Sequence, residues 1–539
     1  MKENLFPLNT FKSHFLGIVC DACFESRKML SSIDERVEDN IERPDSAVQR
    51  LNIVDSKKHT LPEFIGGHGP WQYRQWLVYF AASMCSSLYL FSTFPLSAQV
   101  YCPCSNFSNI SSPEANLFNS VINCAFTKCR RGPVLPGQVT NFSCSNSFRN
   151  SDQDEVVCAN MKVVIYAKYI YVLGMLLSGL TAHFLSFKFG RRTVAVISGF
   201  LLLGFSIATG MSSSLVNYLI LRLFISITVT NIYLVSIFSL VECLGEDYKI
   251  LYAMSGHLGW GVAHFILPLV TWLTKDWLQY SGVISGISIP MIVLSFFIPE
   301  SIEINIAKGL RAKSQKLIRI AAWKNGYPTE DLEEFTHALC HKKNQEEIKE
   351  VWKTANIKRA FELSLLFLVG FSASFLYFTC LGLSDWVNRD RGGFFALAGT
   401  TEISATILCL FFVCFVSNKI VWSMATVMAS VFLLVLYAKA SQIEHFHIST
   451  GTFVVTMFFT SASWTIVLMR TLFQPLITAN SKWNAFISGF AICCGVLIAS
   501  LTDLQKFDSW SPKFYVVYAI PNLTLGATVG IIPERYFKF

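Results

Sequence analysis

Apolar residues in this chain come in long runs separated by polar breaks. One run, 163–185, ends at Ser186-Phe187-Lys188-Phe189-Gly190-Arg191-Arg192, and another starts at Thr193. A hydrocarbon core about 30 Å thick needs roughly 20 apolar residues of helix to cross it. Two membrane spans therefore meet here, at a very short corner. Gly190 permits a tight backbone turn. Lys188, Arg191 and Arg192 place the corner on the cytoplasmic side, as positive-inside topology requires. The other runs predict spans at 76–100, 193–210, 215–242, 251–274, 282–298, 361–383, 394–416, 420–439, 452–472, 485–501 and 513–533, which makes twelve helices in all.

The polar intervals set the topology. Residues 101–162 hold Cys102, Cys104, Cys124, Cys129, Cys144 and Cys158, with glycosylation sequons at Asn106, Asn109 and Asn141. An even cysteine count beside sequons implies an oxidising, luminal side and three disulfides. Connectivity stays open, since six cysteines allow about 15 pairings. A metal knuckle would want histidines, and this loop has none. The outside loop forces the N-terminus inside. By alternation, the segment after span six is then cytoplasmic, and it is basic: Lys308, Arg311, Lys313, Lys316 and Arg319 lie there.

The expected organisation is a cytoplasmic segment 1–75, a first helical unit 76–298, a central cytoplasmic loop 299–360, a second unit 361–533 and a cytoplasmic tail 534–539. Within the first segment, 31–58 is rich in both charge signs and reads as a surface helix or as disorder. Residues 5–23 are weakly apolar and suit an interfacial helix better than a span. Ile65-Gly66-Gly67-His68-Gly69-Pro70-Trp71-Gln72 forms a glycine-rich elbow leading into span one.

Composition agrees. The 539 residues are 52% hydrophobic and 15% charged, where soluble domains carry about 25% charge. The net charge of +8 is spread over loops and reflects topology; no nucleic-acid partner is expected. The mixed first residues predict no cleavable signal peptide. No P-loop, zinc-protease helix motif or nucleophile elbow is present, so neither an enzyme, a metal site nor a cofactor is expected, and ATP-driven work is disfavoured.

Several short pieces follow one another in order along the chain. They are the elbow ending at Gln72, the six-cysteine loop, Phe189-Gly190-Arg191-Arg192, Arg222 and Glu242 in span four, and Asp276-Trp277. Then come Pro299-Glu300-Ser301 with Lys308-Gly309, Glu402-Ile403 in span eight, and Pro533-Glu534. Together they resemble the organic cation/anion (solute carrier 22-like) transporters of the major facilitator superfamily. The resemblance implies an all-α membrane protein of the major facilitator fold, with twelve transmembrane helices in two six-helix bundles. It implies secondary-active or facilitative transport of small organic ions, whether cations, anions or zwitterions, by alternating access. It also implies a multi-pass protein of the plasma membrane that is a monomer or weak homo-oligomer in the lipid bilayer.

The same resemblance assigns a gating charge lattice to Lys188, Gly190, Arg191, Arg192, Arg222, Glu242 and Glu300. It sets the aromatic pair Tyr377 and Phe378 toward a central cavity. Ionisable residues inside a bilayer are functional candidates by default. Glu402 should therefore face a cavity or a cation, while Lys168 and Arg470 read as interface anchors. Arg222 and Glu242 sit too far apart along one helix to pair directly. His257 and His264, seven residues apart, share one face of span five and are candidates for a proton or substrate role. Tyr169, Tyr233 and Trp464 join Tyr377, Phe378, Glu402 and His257 as expected substrate contacts, because aromatic faces hold organic cations by cation–π attraction and flat anions by stacking.

The chain also departs from the family pattern. Phe187 stands where the family usually carries aspartate. Ile302-Glu303-Ile304 replaces a proline-arginine-tryptophan run, the motif after span ten reads Thr471-Leu472-Phe473-Gln474, and span eleven has no charge. These differences motivate the alternative of a degenerate transporter kept as a receptor or structural subunit. The missing anion at Phe187 should leave the basic corner less tied.

Overall fold

The computed structural model describes residues 61–93, 152–212, 215–274, 277–327, 332, 335–336, 357–387, 391–440, 446–472, 487, 489–499 and 513–531. Cys102, Cys104, Cys124, Cys129, Cys144, Asn106, Asn109, Asn141, Asp276, Pro533 and Glu534 lie outside them, as do the side chains of Cys158 and Arg470.

Besides three shorter helices outside the spans, twelve helices among the described residues fall at the expected spans. The first six are α1 (Pro70–Phe91), α2 (Asp152–Phe189), α3 (Arg191–Gly210), α4 (Leu215–Cys243), α5 (Glu246–Leu273) and α6 (Trp277–Ser295). The others are α7 (Ile357–Val387), α8 (Arg391–Phe415), α9 (Asn418–Ala440), α10 (Phe446–Leu472), α11 (Gly489–Ala499) and α12 (Lys513–Ile531). Eight of them, α3 to α10, are long and apolar enough to cross a bilayer, and α11 and α12 are shorter apolar helices. Phe200, Leu269, Trp272, Phe411 and Met424 stay exposed on the outer faces, while the interior mixes apolar residues such as Val78, Leu202 and Ile237 with many serines and threonines.

Helix ends differ from the expected span ends, for a physical reason. Polarity marks where hydrocarbon stops, whereas capping and proline mark where a helix stops. α1 begins at Pro70 rather than at residue 76, because proline suits the first helical turn and Gly69 precedes it. Its end comes at Phe91, with Ser92 as cap. α2 starts at Asp152, inside the expected loop, and its 38 residues span about 57 Å. A helix of that length runs well beyond a bilayer core.

In the first half, α1 packs on α4 and α5, α2 and α3 pack on α4, and α6 packs on α3. In the second, α9 packs on α10 and α12, and α10 on α7 and α8. The halves meet mainly along α5 and α8. A smaller seam joins Val172 of α2 to Cys493 and Val496 of α11.

A separate small core caps the end of the first half that carries Gly190. Leu61, Ile65 and Trp71 of the elbow pack with Cys243, Ile302, Ile318, Ala321 and Leu332. Two short helices, Ile302–Ala307 and Arg311–Asn325, supply the residues that follow α6. Asn325 ties the cap together. Its Oδ1 accepts the Trp71 N–H at 3.0 Å, which satisfies an orphan donor in the first turn of α1. Its Nδ2 donates to the Ile65 carbonyl at 2.7 Å and to Gln72 Oε1 at 2.9 Å. Gln72 in turn donates to the Cys243 carbonyl at the end of α4, at 2.9 Å.

Candidate functional site

Two groups of the expected residues assemble in different places. The first lies at the corner of α2 and α3. Helix α2 runs to Phe189 and α3 starts at Arg191, so Gly190 alone makes the turn. Its φ of +89° and ψ of 150° lie where side-chain-bearing residues are rarely found. A β-carbon there would also run into the Glu300 carboxylate, at 2.6 Å from one oxygen and 3.0 Å from the other. Arg191 is buried and pairs with Glu242 near the end of α4. Ser301 Oγ reaches both Glu242 oxygens, at 2.9 and 2.8 Å, and accepts the Ile304 N–H at 3.0 Å. The departures from the family pattern are absorbed locally. Ile302 enters the small core, and the Lys308 ammonium sits 5.1 Å from the centre of the Phe187 ring. An aromatic face thus meets a cation where the family has an anion. Lys188 and Arg192 are exposed, over the rings of Phe189 and Phe296.

Arg222 does not belong to this lattice, contrary to the expectation from family resemblance. It is 1% exposed and binds the far end of α1. Its guanidinium donates to the Tyr89 carbonyl at 2.8 Å, the Leu90 carbonyl at 3.2 Å and Ser92 Oγ at 2.5 Å. The Tyr171 ring covers it at 5.0 Å. A cation at a helix C-terminus satisfies otherwise orphaned carbonyls. Tyr280 helps by donating to the Ser92 carbonyl at 3.1 Å. Arg222 therefore positions the end of α1, and with it Phe91.

The second group forms where α5 and α8 cross. Gly261 and Gly399 allow the crossing: a β-carbon on Gly399 would lie 3.0 Å from the Gly261 carbonyl and 2.9 Å from His264 Cβ. Glu402, 2% exposed, sits beside this contact. Tyr377 Oη of α7 donates to Glu402 Oε1 at 2.7 Å. Trp260 Nε1 of α5 donates to Tyr377 Oη at 3.2 Å. His264 Nδ1 lies 3.1 Å from Glu402 Oε2 and 3.1 Å from the Trp260 carbonyl. The chain of groups thus runs from one half of the molecule to the other. Aromatic rings enclose it. Trp464 stacks on Tyr377 at 5.4 Å, Phe378 lies edge-on to Tyr377 at 5.0 Å, and Phe91 touches His264, Phe378 and Phe395 at 5.0, 6.4 and 5.5 Å.

The structure therefore brings together Tyr377, Phe378, Trp464 and Glu402. It adds Trp260, Phe91 and Phe395, which lie in separate spans and carry no local sequence signal. Of the histidine pair, His264 meets Glu402, while His257 stacks on Trp260 at 5.8 Å. Tyr233 pairs instead with Tyr79 of α1, at 6.0 Å. Tyr169 and Lys168 are half-buried on α2.

No protein-family model matches the chain. An organic cation transporter protein from Drosophila melanogaster is 22% identical over 449 residues, covering 80% of this chain and 77% of that one. Organic anion transporter 3 of Mus musculus is 23% identical over 453 residues, covering 79% and 80%. In structure the chain is similar to the E. coli xylose transporter XylE in a partially occluded inward-open conformation. The TM-score is 0.59, with 12% identity over 86% of this chain and 98% of that one. The chain is thus a multi-pass membrane protein of the major facilitator fold, and its relatives in sequence are the organic cation and anion transporters.

Proposed function

We propose that this chain carries small organic ions across a membrane by alternating access, as a secondary-active or facilitative transporter. The observation that carries the proposal is the enclosed cluster Trp260–Tyr377–Glu402–His264. It draws residues from both halves into one network beside an aromatic wall. A site shared between two bodies changes its contacts when they move, and only such a difference lets a substrate shift their equilibrium. Tyr377, Phe378 and Trp464 form the wall for the organic part of the substrate, and Glu402 sets the charge behind it. The names of the relatives support an organic ion as substrate.

In this reading Arg191, Glu242, Ser301, Gly190 and Glu300 hold the cytoplasmic end of the first bundle. Both termini are cytoplasmic, the cysteine-bearing loop with Asn106, Asn109 and Asn141 is outside, and the protein resides in the plasma membrane. The Arg191–Glu242 pair supports transport over the receptor alternative, because the corner keeps an acid partner although Phe187 stands in place of an anion.

Uptake of a panel of labelled quaternary ammonium ions, aromatic carboxylates and zwitterions into proteoliposomes tests the proposal. Saturable uptake of at least one compound, lost in Tyr377→Ala, is the expected result. Normal folding with no uptake across the panel and a co-purifying partner would favour the receptor or subunit. Non-saturating currents would point to a channel.

A further inference from the structure

We infer that Arg74 and Arg192 together bind the phosphate of an anionic lipid, in the membrane leaflet at the Gly190 end of the first half. The inference needs only the membrane fold. That this leaflet is the cytoplasmic one rests on the topology proposed above.

The site lies where three helix ends meet. Arg74 stands in the second turn of α1, Arg192 is the second residue of α3, and Phe296 and Phe297 directly follow α6. Helix α6 packs on both α1 and α3. Gln75 Nε2 donates to the Phe297 carbonyl at 3.3 Å, which holds the end of α6 against α1. The guanidinium carbon of Arg74 sits 4.5 Å from the centre of the Phe297 ring, and that of Arg192 sits 6.0 Å from the centre of the Phe296 ring. Two rings adjacent in the chain thus hold two cations, and the charge of Arg192 bears on Arg74.

Neither cation is neutralised by a neighbour. Among the described residues neither guanidinium pairs with a carboxylate, and Arg74 Nε has no hydrogen-bond partner. Two acids near this end are placed elsewhere: Glu242 takes Arg191 and Ser301, and the Glu300 carboxylate lies against Gly190. Like charges set together favour an anion between them. A guanidinium binds phosphate through two parallel N–H···O bonds, so a pair of them suits one phosphate group.

The surroundings select a lipid over a soluble anion. Ile289 and Val293 of α6 and Phe200 of α3 are exposed apolar side chains that continue from Phe296 and Phe297 along the outer faces. An apolar strip of this kind faces acyl chains in a bilayer, while arginine stems lie on it and send their charged heads to the headgroup level. A ligand with phosphate at one end and hydrocarbon at the other meets both features at once. A free phosphate would leave the strip unused. A zwitterionic lipid shares the phosphate but carries its own cation, so a net negative headgroup is the better match. Bound there, the lipid bridges α1 and α3 across the foot of α6 and stabilises the first half.

The full chain, purified in detergent and stripped of lipid, tests this. Native mass spectrometry with added phosphatidylglycerol or phosphatidylcholine counts the lipids retained, and thermal unfolding reads the stabilisation each gives. Phosphatidylglycerol should be retained in preference and should raise the unfolding temperature. Each arginine near an anionic headgroup should be worth about fivefold in affinity, so Arg74→Gln combined with Arg192→Gln should lower phosphatidylglycerol retention about twenty-five-fold. If the double variant does not fold, Arg192→Gln alone, at an exposed position, should lower it about fivefold. Lys316→Gln combined with Arg319→Gln removes two other exposed cations and should leave retention unchanged. Equal retention by the wild type and the Arg74 and Arg192 variants overturns the inference. So does an equal loss in the Lys316 and Arg319 variant, which would make the preference a general effect of surface charge. Stabilisation by inorganic phosphate as large as that by phosphatidylglycerol would assign the two arginines to a soluble anion and overturn the lipid.

Discussion

Two acid–base pairs among the described residues have opposite settings. Arg191 and Glu242 pair within the first half, with Ser301 on both oxygens of the acid and a small apolar core close by. His264 and Glu402 pair across the seam between the halves. The first pair lies within one packed half, so a movement of one half against the other would leave it intact. The second is made or broken by the relative position of α5 and α8. The comparison teaches that burial alone does not mark a gating charge. What matters is whether the two partners belong to one packed body or to two.

The largest expected effect is Arg191→Ala. It leaves Glu242 buried without its guanidinium, at a cost of about 3–5 kcal/mol in stability. Thermal unfolding of the purified protein and its yield at the membrane measure this. If His264→Asn destabilised the protein as much, the contrast between the pairs would collapse. Next is Arg222→Met, which takes the guanidinium from the Leu90 carbonyl and leaves the Tyr89 carbonyl and Ser92 Oγ bonded only to each other. The expected cost is about 1–3 kcal/mol, for one acceptor left unsatisfied. Transport should fall with stability, since Phe91 loses its anchor.

Gly190→Ala should cost about 1–3 kcal/mol from backbone conformation. Glu300→Ala should relieve only the steric part, and a double-mutant cycle on unfolding separates the two. The smallest effect belongs to Phe187→Ala, which removes the ring under Lys308 for about 0.5–1 kcal/mol. Phe187→Asp should restore or exceed that amount, because an ion pair replaces the cation–π contact. A loss of stability in Phe187→Asp would show that the aromatic ring is held by packing rather than by its charge partner.

The apolar runs, the basic corner and the cysteine-rich loop made the membrane class and the order of helices legible. These are local properties: about 20 apolar residues are a span wherever they occur. Helix ends were less legible, because Pro70, Asn325 and Ser92 set the ends of α1 through capping rather than through hydropathy. Glu402 and Tyr377 stood out as a polar group and an aromatic in apolar spans, but nothing local said that they would meet at 2.7 Å. That Arg222 is too far along its helix to pair with Glu242 was legible, but its grouping with the charge lattice was not right, since a buried arginine in a span looks the same whether it meets an acid or a helix end.

Taken alone, the sequence determined that this chain is a polytopic helical bundle with a basic corner and a charged, aromatic interior. Partition between water and hydrocarbon depends on composition over short windows. Only the tertiary structure decided which of those charges face one another. Glu402 and His264 lie 138 positions apart, on helices that meet because Gly261 and Gly399 carry no side chains between them. That meeting is a property of three-dimensional packing, and no window along the chain contains it.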